Sequence, residues 1–282
     1  MDNLYKDIYN YIFSFLDHKD LINLMMVSKK FYTLIDNLKL PNVDFYTSCL
    51  KGYYLNIRKE NIENYIVDKA LFYACKGGHK PIINLLIKNG ASYWELGLQG
   101  ACEGGHLDIV ELMISNGAHS WNIALSSLCE YGHKDLIDYI ISKGANNLDF
   151  GLYGACKGGH LDIVELMISK GVNNWNYGFY GACEGGHKQI VELMISKGAK
   201  VWNSGLYAAC QYGHMDIVKL MISKGADDWN SGLKAACQYG HLDIVKLMIS
   251  MGADNLNTGL KAAQLCGDKE IIDYIVQKHK FN

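Results

Sequence analysis

The chain has 282 residues, 49% of them hydrophobic, enough to bury a sizeable core in two or three compact domains or in one extended repeat array. Its 27 basic and 29 acidic side chains give a formal charge of −2, which supplies no field to recruit nucleic acid or an anionic membrane. The opening Met1-Asp2-Asn3-Leu4-Tyr5-Lys6-Asp7 lacks the basic-then-apolar pattern of a secretory signal, and no apolar run reaches bilayer length, so a cytosolic or nuclear protein is expected.

Residues 1–40 carry two apolar stretches at helical spacing. Leu4, Ile8, Ile12, Phe13 and Leu16 form the first, and Asp20-Leu21 opens a second that runs through Leu24, Met25 and Val27. The segments Leu4-Tyr5-x-Asp7-Ile8, Ile12-Phe13-x-Phe15-Leu16, Asp20-Leu21-x-x-Leu24 and Val27-Ser28-Lys29-x-Phe31-Tyr32 together resemble an F-box. The resemblance implies docking on a Skp-type adaptor of a cullin-type ubiquitin ligase, with Leu4, Ile8, Ile12, Phe13, Leu16, Leu21, Val27 and Phe31 as the adaptor-binding residues. F-box segments usually have Pro where this chain has Tyr5. The alternative is that these helices only cap the rest of the chain. Residues 41–67 read as a linker or a degenerate repeat. Cys49-x-x-Gly52 and Asn61-Ile62-Glu63-Asn64-Tyr65-Ile66 echo the downstream pattern, one residue out of register.

From residue 68 to residue 282 the chain is periodic. Blocks of 27 share the pattern N-x-G-L-x-x-A-C-x-x-G-H-x-x-I-V-x-L-M-I-x-K-G-A-x-x-W, about eight times over with nothing inserted or lost. A fixed period of this size marks a repeat architecture. Gly-His recurs at 78–79, 105–106, 132–133, 159–160, 186–187, 213–214 and 240–241, with Gly267-Asp268 as a degenerate eighth. Each block carries the punctuation of two short antiparallel helices. Asn or Asp (Asp68, Asn122, Asp149, Asn176, Asn203, Asn230, Asn257) opens the first, where its side chain is expected to cap free amides, with Glu95 the exception. The helix should run about eight residues to the Gly of Gly-His, and the His is expected to cap the second helix. That helix has an acid in its first turn (Asp108, Asp162) and a Lys in its last (Lys170, Lys197), which suits the dipole.

Ile109, Val110, Leu112, Met113 and Ile114 cover more than one face of the second helix, so it must pack on its partner and on both neighbouring blocks. No block can bury that surface alone. Stability therefore has to come from stacking, with protected ends. All five tryptophans, Trp94, Trp121, Trp175, Trp202 and Trp229, stand one residue before the helix-opening position, where they are expected to staple onto the same helix, Trp175 onto Tyr180 and Trp202 onto Tyr207.

The run Leu98-x-x-Ala101-Cys102-x-x-Gly105-His106-x-x-Ile109-Val110-x-Leu112-Met113-Ile114-x-x-Gly117-Ala118 resembles the helix-turn-helix core of ankyrin repeats. The period is 27 where that family has about 33. The missing residues fall where ankyrins carry a projecting hairpin, and the Thr-Pro-Leu-His opening is absent. Hairpin-less units rich in Asn, Ile, Lys and Tyr resemble the ankyrin families of giant viruses that infect amoebae. The fold class expected is all-α, an ankyrin-type helical solenoid of shortened helix-turn-helix units after a small F-box-like segment.

Seven cysteines, Cys75 to Cys237, also recur every 27 residues. Stacked helices lie about 8–10 Å apart, too far for a disulfide, whose Cα atoms sit within about 7 Å, so these read as buried small side chains. One His per block likewise spreads the histidines beyond the reach of a single zinc ion. No nucleophile–base pair, phosphate loop or metalloprotease spacing appears, so no catalytic residue, cofactor or metal is expected.

A repeat protein keeps its frame constant and varies what faces a partner. The variable places on the first helices are Gln99, Glu103, Glu130, Tyr131, Tyr153, Lys157, Tyr180, Glu184, Tyr207, Gln211, Tyr212, Lys234, Gln238 and Tyr239. Tyrosine mixed with charge and amide groups suits a protein interface, and the ankyrin resemblance places this stripe on the binding face. The expected function is a monomeric protein–protein interaction module, a substrate receptor of a ubiquitin ligase acting on host proteins in the host cytoplasm, or else a plain scaffold or decoy. The residues do not name the target.

Overall fold

The computed structural model describes residues 44–52 and 67–279. The expectations for Leu4 to Phe31 and for Asn61 to Ile66 lie outside these residues. Among the described residues every regular element is helical, with no strand, so the fold is all-α. The chain divides into two compact units between Gly100 and Ala101.

In the first unit α1 (Phe45–Lys51) packs on α2 (Val67–Gly77), which pairs with α3 (Lys80–Lys88), and α4 (Trp94–Gly104) begins. Asp44 caps α1 by accepting from the Thr47 amide at 3.0 Å, and Gly52 ends it in the left-handed region. Cys49 of α1 is fully buried. Nε2 of His79 donates to the Leu50 carbonyl at 3.0 Å. A buried Cys, a left-handed Gly and a carbonyl held by the next His are the marks of a repeat's first helix, so α1 stands before α2 as each first helix stands before the next.

The second unit starts at the last turn of α4. It continues as α5 (Leu107–Ser115), α6 (Trp121–Tyr131), α7 (Ile137–Lys143, entered through a 3-10 turn at Lys134–Leu136), α8 (Leu148–Gly158), α9 (Leu161–Ser169), α10 (Trp175–Gly185), α11 (Lys188–Lys197), α12 (Trp202–Tyr212), α13 (Met215–Ser223), α14 (Trp229–Tyr239), α15 (Leu242–Ser250), α16 (Leu256–Cys266) and α17 (Lys269–His279). The first helices α6, α8, α10, α12, α14 and α16 lie against one another in a layer, and α7, α9, α11, α13, α15 and α17 each rest on the first helix of their own repeat.

The core repeats with the sequence. In the α8–α9 repeat, Leu152, Ala155 and Cys156 meet Ile163, Val164 and Met167, all at most 1% exposed. Burying Leu152, Ile163, Val164 and Met167 stabilises by about 1.5–3 kcal/mol each, and such surface is hidden only when the neighbouring repeats are present. Gly151 makes room for the Met167 sulfur, which a Cβ there would approach to 2.7 Å, and Gly232 serves Met248 in the same way at 2.8 Å. Gly154 and Gly181 let first helices approach still closer, since a Cβ on either would run into the carbonyl oxygen of Ser126 or Tyr153. Ala208, Ala235 and Ala262 take that place in later repeats, and the first-helix seam is tighter from α6 to α10 than from α10 to α16.

Three local expectations are corrected. The first helices start at the Trp or Leu and run eleven residues, so the Asn is the second residue of the helix and not its cap. Its side chain instead accepts from two loop amides of the turn that ends its own repeat: Oδ1 of Asn203 from Asp227 and Asp228, Oδ1 of Asn230 from Asp254 and Asn255. Where a side chain does cap, it is the residue before the Trp or Leu: Asn147, Asp228 and Asn255 accept from the Asp149, Ser231 and Thr258 amides, while Ser120, Asn174 and Val201 make no cap bond. The second correction concerns His. His160, His187 and His214 sit at the cap position but make no side-chain cap bond. The rings of His160 and His214 reach back to the preceding repeat's carbonyls. Third, Trp202 lies edge-on against Phe179 of the preceding repeat, ring centroids 5.8 Å apart, where a staple onto Tyr207 is expected. In all three the group serves tertiary contacts of the stack in place of its own helix.

Candidate functional site

Residues 27 apart on successive first helices form rows across the layer, and residues four apart on one helix lie on one face. Tyr153, Tyr180, Tyr207 and Lys234 make one row. Glu130, Lys157, Glu184, Gln211 and Gln238 make the next, one helical turn further on. A third row holds Tyr131, Tyr212 and Tyr239, with Gly158 and Gly185 between them. The close helix seam brings these rows into contact across repeats.

Glu184 is the centre. Its side chain is only 8% exposed, and both oxygens are engaged: the Tyr153 hydroxyl donates to Oε2 at 2.5 Å and the Tyr212 hydroxyl to Oε1 at 3.0 Å. Lys157 Nζ stands 3.1 Å from Glu184 Oε1 and 3.2 Å from Glu130 Oε1, bracketed by the repeats on either side. A carboxylate this buried needs such donors, because leaving it unpaired would cost several kcal/mol, roughly. The Tyr153 ring lies 5.0 Å from Tyr177 and stacks on Tyr180 at 6.5 Å, and Tyr212 stacks on Tyr239 at 6.5 Å.

The electrostatics result from this packing. Burial, then the hydrogen bond and charge of Glu184, push the Tyr153 hydroxyl far above its ordinary value. Burial and the field of Glu184 raise Tyr180 as well. Tyr212 is pushed up to about 12 by burial and its bond to Glu184. Burial by itself would depress Lys157, but Glu184 and Glu130 outweigh it and hold the ammonium above its usual range. The phenols stay neutral and the lysine stays charged at any physiological pH.

Of the sequence-predicted stripe, the structure thus joins Glu130, Tyr153, Lys157, Tyr180, Glu184 and Tyr212 into one network with Tyr239 stacked at its edge. Gln99 lies half-buried on α4 in the first unit. Glu103 is 9% exposed, its carbonyl held by His133. Tyr207 and Gln211 are half-buried, and Lys234, Gln238 and Tyr239 are exposed. Tyr131, Tyr212 and Tyr239 expose 42–47% of their surface. Tyr177 belongs to the aromatic cluster and is absent from the predicted stripe. Its column (Ile123, Phe150, Tyr177, Ser204) varies as the others do, which is the signal that finds it.

All nine cysteines are reduced thiols, eight of them buried and Cys266 exposed. Among the described residues no three His, Cys, Asp or Glu side chains converge as a metal site, and no helix is long and apolar enough to cross a membrane.

The family model of three tandem ankyrin repeats matches residues 98–177, 125–204, 152–231, 179–258 and 206–282, each match starting 27 residues after the last. The F-box domain model matches residues 1–42. No curated protein matches the chain, so the giant-virus resemblance rests on residue composition and unit length alone. Both matched families are interaction modules, and the ankyrin matches together span residues 98–282. The chain belongs to the ankyrin-repeat family and carries an F-box domain at its N-terminus.

Proposed function

We propose that this protein is a substrate receptor: its F-box segment docks on a Skp-type adaptor of a cullin-type ubiquitin ligase while the first-helix face of the array captures a target protein. The observation that carries the reading is the pairing of an F-box match over residues 1–42 with a repeat array whose most variable residues form one continuous, tyrosine-rich ridge. Tyrosine offers large contact area with few torsions to freeze. Ubiquitin transfer belongs to other subunits of the ligase. If the resemblance to giant-virus ankyrin families extends to origin, the target is a host protein.

The test is retention of the full chain on an immobilised Skp-type adaptor. Binding abolished by Leu4→Asp with Ile8→Asp supports the reading. No retention, or retention untouched by that pair, removes the ligase link. Tyr5, where F-box segments usually have Pro, favours the second reading, a scaffold or decoy whose N-terminal helices are only a cap. Deleting residues 1–40 then lowers the thermal stability of the array along with its binding.

A further inference from the structure

The first helices are not spaced alike along the array, and two columns of the repeat are the cause. At 154 and 158 in α8, and at 181 and 185 in α10, the residue against the preceding first helix is glycine. A Cβ at any of the four would come within 2.0–2.6 Å of a carbonyl oxygen of Ser126, Glu130, Tyr153 or Lys157, so α6, α8 and α10 touch backbone to backbone. In α12, α14 and α16 the same columns hold Ala208 and Tyr212, Ala235 and Tyr239, Ala262 and Cys266, and these side chains keep the helices further apart. The change falls at the seam between α10 and α12.

Glycine inside a helix also weakens the helix itself, because it has more conformational freedom to lose than alanine. Gly154 and Gly181 therefore leave α8 and α10 weaker by themselves than α12, α14 and α16, which have alanine at that place. Two quantities thus run in opposite directions along the chain: the strength of the single repeat rises past α10 while its hold on the next repeat falls. The polar links follow the same trend. Lys157 reaches both Glu130 and Glu184, and Tyr153 donates to Glu184. Lys134 with Asp162 and Lys170 with Asp138 join α7 to α9, although such exposed pairs add little. Among the described residues no ion pair joins repeats beyond α10. There the links are the Tyr212 hydroxyl on Glu184, the Tyr212–Tyr239 stack, the His241 ring on the Gln211 carbonyl, and the Lys246 ammonium 5.8 Å from the Tyr274 ring. The last repeat has no histidine to continue the row, and Asp268 in its place accepts from the Glu270 and Ile271 amides of α17.

We infer that the array opens in two different ways. The repeats from α6 to α11 open only together, as one cooperative block, whereas those from α12 to α17 open one after another from the C-terminal end while the block stays closed. In a stack whose repeats meet only their neighbours, weak units held by close contacts open all at once, and sturdier units with looser contacts open singly. The bond from Tyr212 to Glu184 fastens the first of the separable repeats to the block. The first-helix face is accordingly fixed over α8 and α10 and adjustable over α12, α14 and α16, whatever it binds.

The experiment is amide hydrogen exchange of the full chain read by mass spectrometry, on the native sequence and on Gly154→Ala, Ala235→Gly and Tyr212→Phe. In the native sequence the slowest amides of α6 to α11 should agree within about threefold, while those of α12, α14 and α16 should quicken by about threefold or more from each helix to the next. Gly154→Ala should quicken α6 to α11 alike and leave the faster amides of α12 to α17 as they were. Ala235→Gly should quicken α14 to α17 by about fivefold, the difference in helix propensity, with no change in α6 to α11. Tyr212→Phe should quicken α12 to α17 by about fivefold and spare the block. One common rate from α6 to α17 that shifts as a whole in every variant would overturn the division. So would exchange that starts in α8 and α10, and a Gly154→Ala chain that does not fold leaves the native gradient and the other two variants to decide.

Discussion

Nε2 of His133 donates to the carbonyl of Glu103, 2.9 Å away and thirty residues earlier. The same bond recurs from His160 to Glu130, from His214 to Glu184 and from His241 to Gln211. A carbonyl can only accept, so the ring carries its proton on Nε2. The bond satisfies a carbonyl that the end of a helix leaves open, and the last turn of one repeat's first helix is tied to the start of the next repeat's second helix. His214→Ala should therefore cost about 1–3 kcal/mol, the cost of stranding a part-buried acceptor. Urea denaturation of the full chain reads it, and a loss no greater than that of an exposed control such as Lys219→Ala would show the bond to be idle.

Gly154→Ala sets two effects against each other. Alanine favours a helix interior over glycine by about 1 kcal/mol. Its Cβ would collide with the Ser126 carbonyl, a backbone atom that cannot swing aside. The collision should win, and the variant should be less stable by about 1–3 kcal/mol. At Gly171 φ is 93° and nothing lies within 4 Å, so alanine there should cost only the left-handed strain, about 1–2 kcal/mol. Thermal melts of the two variants separate packing from backbone strain, and a stabilised Gly154→Ala would mean that the helices can move apart freely.

Lys157→Met keeps the length of the side chain and removes its charge. Glu184 keeps two phenol donors but loses its ammonium, so stability should fall by about 1–3 kcal/mol. Because the Lys157 charge holds the Tyr212 value down, its removal should push that hydroxyl further up. Ultraviolet tyrosine titration checks it, and an unchanged curve would dissolve the network.

Desolvation raises Cys102, Cys129, Cys156 and Cys210 from an ordinary value of 9.0 to about 12. A raised value in the folded chain means stability that is complete below pH 9 and lost as pH climbs through 9 towards 12, because the unfolded thiols ionise first. Each such thiol steepens the fall by about 1.4 kcal/mol per pH unit in that window. Denaturant midpoints between about pH 8 and 11 should drop, and replacing Cys129 and Cys156 with alanine should flatten the drop. At about pH 8 a thiol reagent should label Cys266 quickly and the eight buried cysteines only on unfolding.

Asn203→Ala removes the acceptor shared by the Asp227 and Asp228 amides, at 2.8 and 3.2 Å. These groups are exposed, so water replaces much of the loss and the cost should be about 0.5–1.5 kcal/mol. Amide hydrogen exchange should quicken first at residues 225–229, and uniform quickening over the whole array would place the effect elsewhere.

Periodicity alone makes the two-helix repeat, the buried cysteine row and the variable rows legible, because each is a one-dimensional pattern copied at a fixed interval. The occurrence of Tyr, Glu and Lys in those rows is equally plain. What the letters do not disclose is which partner each polar group takes. Asn, His and Trp all have a familiar local duty at a helix end, and spacing cannot tell that duty from a contact across repeats. Asn203 takes loop amides at the far end of its own repeat, and His214 and Trp202 take groups of the preceding repeat, because the packed array brings those partners within reach while water can serve the local helix end. In the same way Glu184 stands in the sequence as one more variable acid. Only the packing of α8, α10 and α12 makes it the buried anion that holds Tyr153, Lys157 and Tyr212 together, since the burial of a charge is a property of the neighbours that exclude water from it.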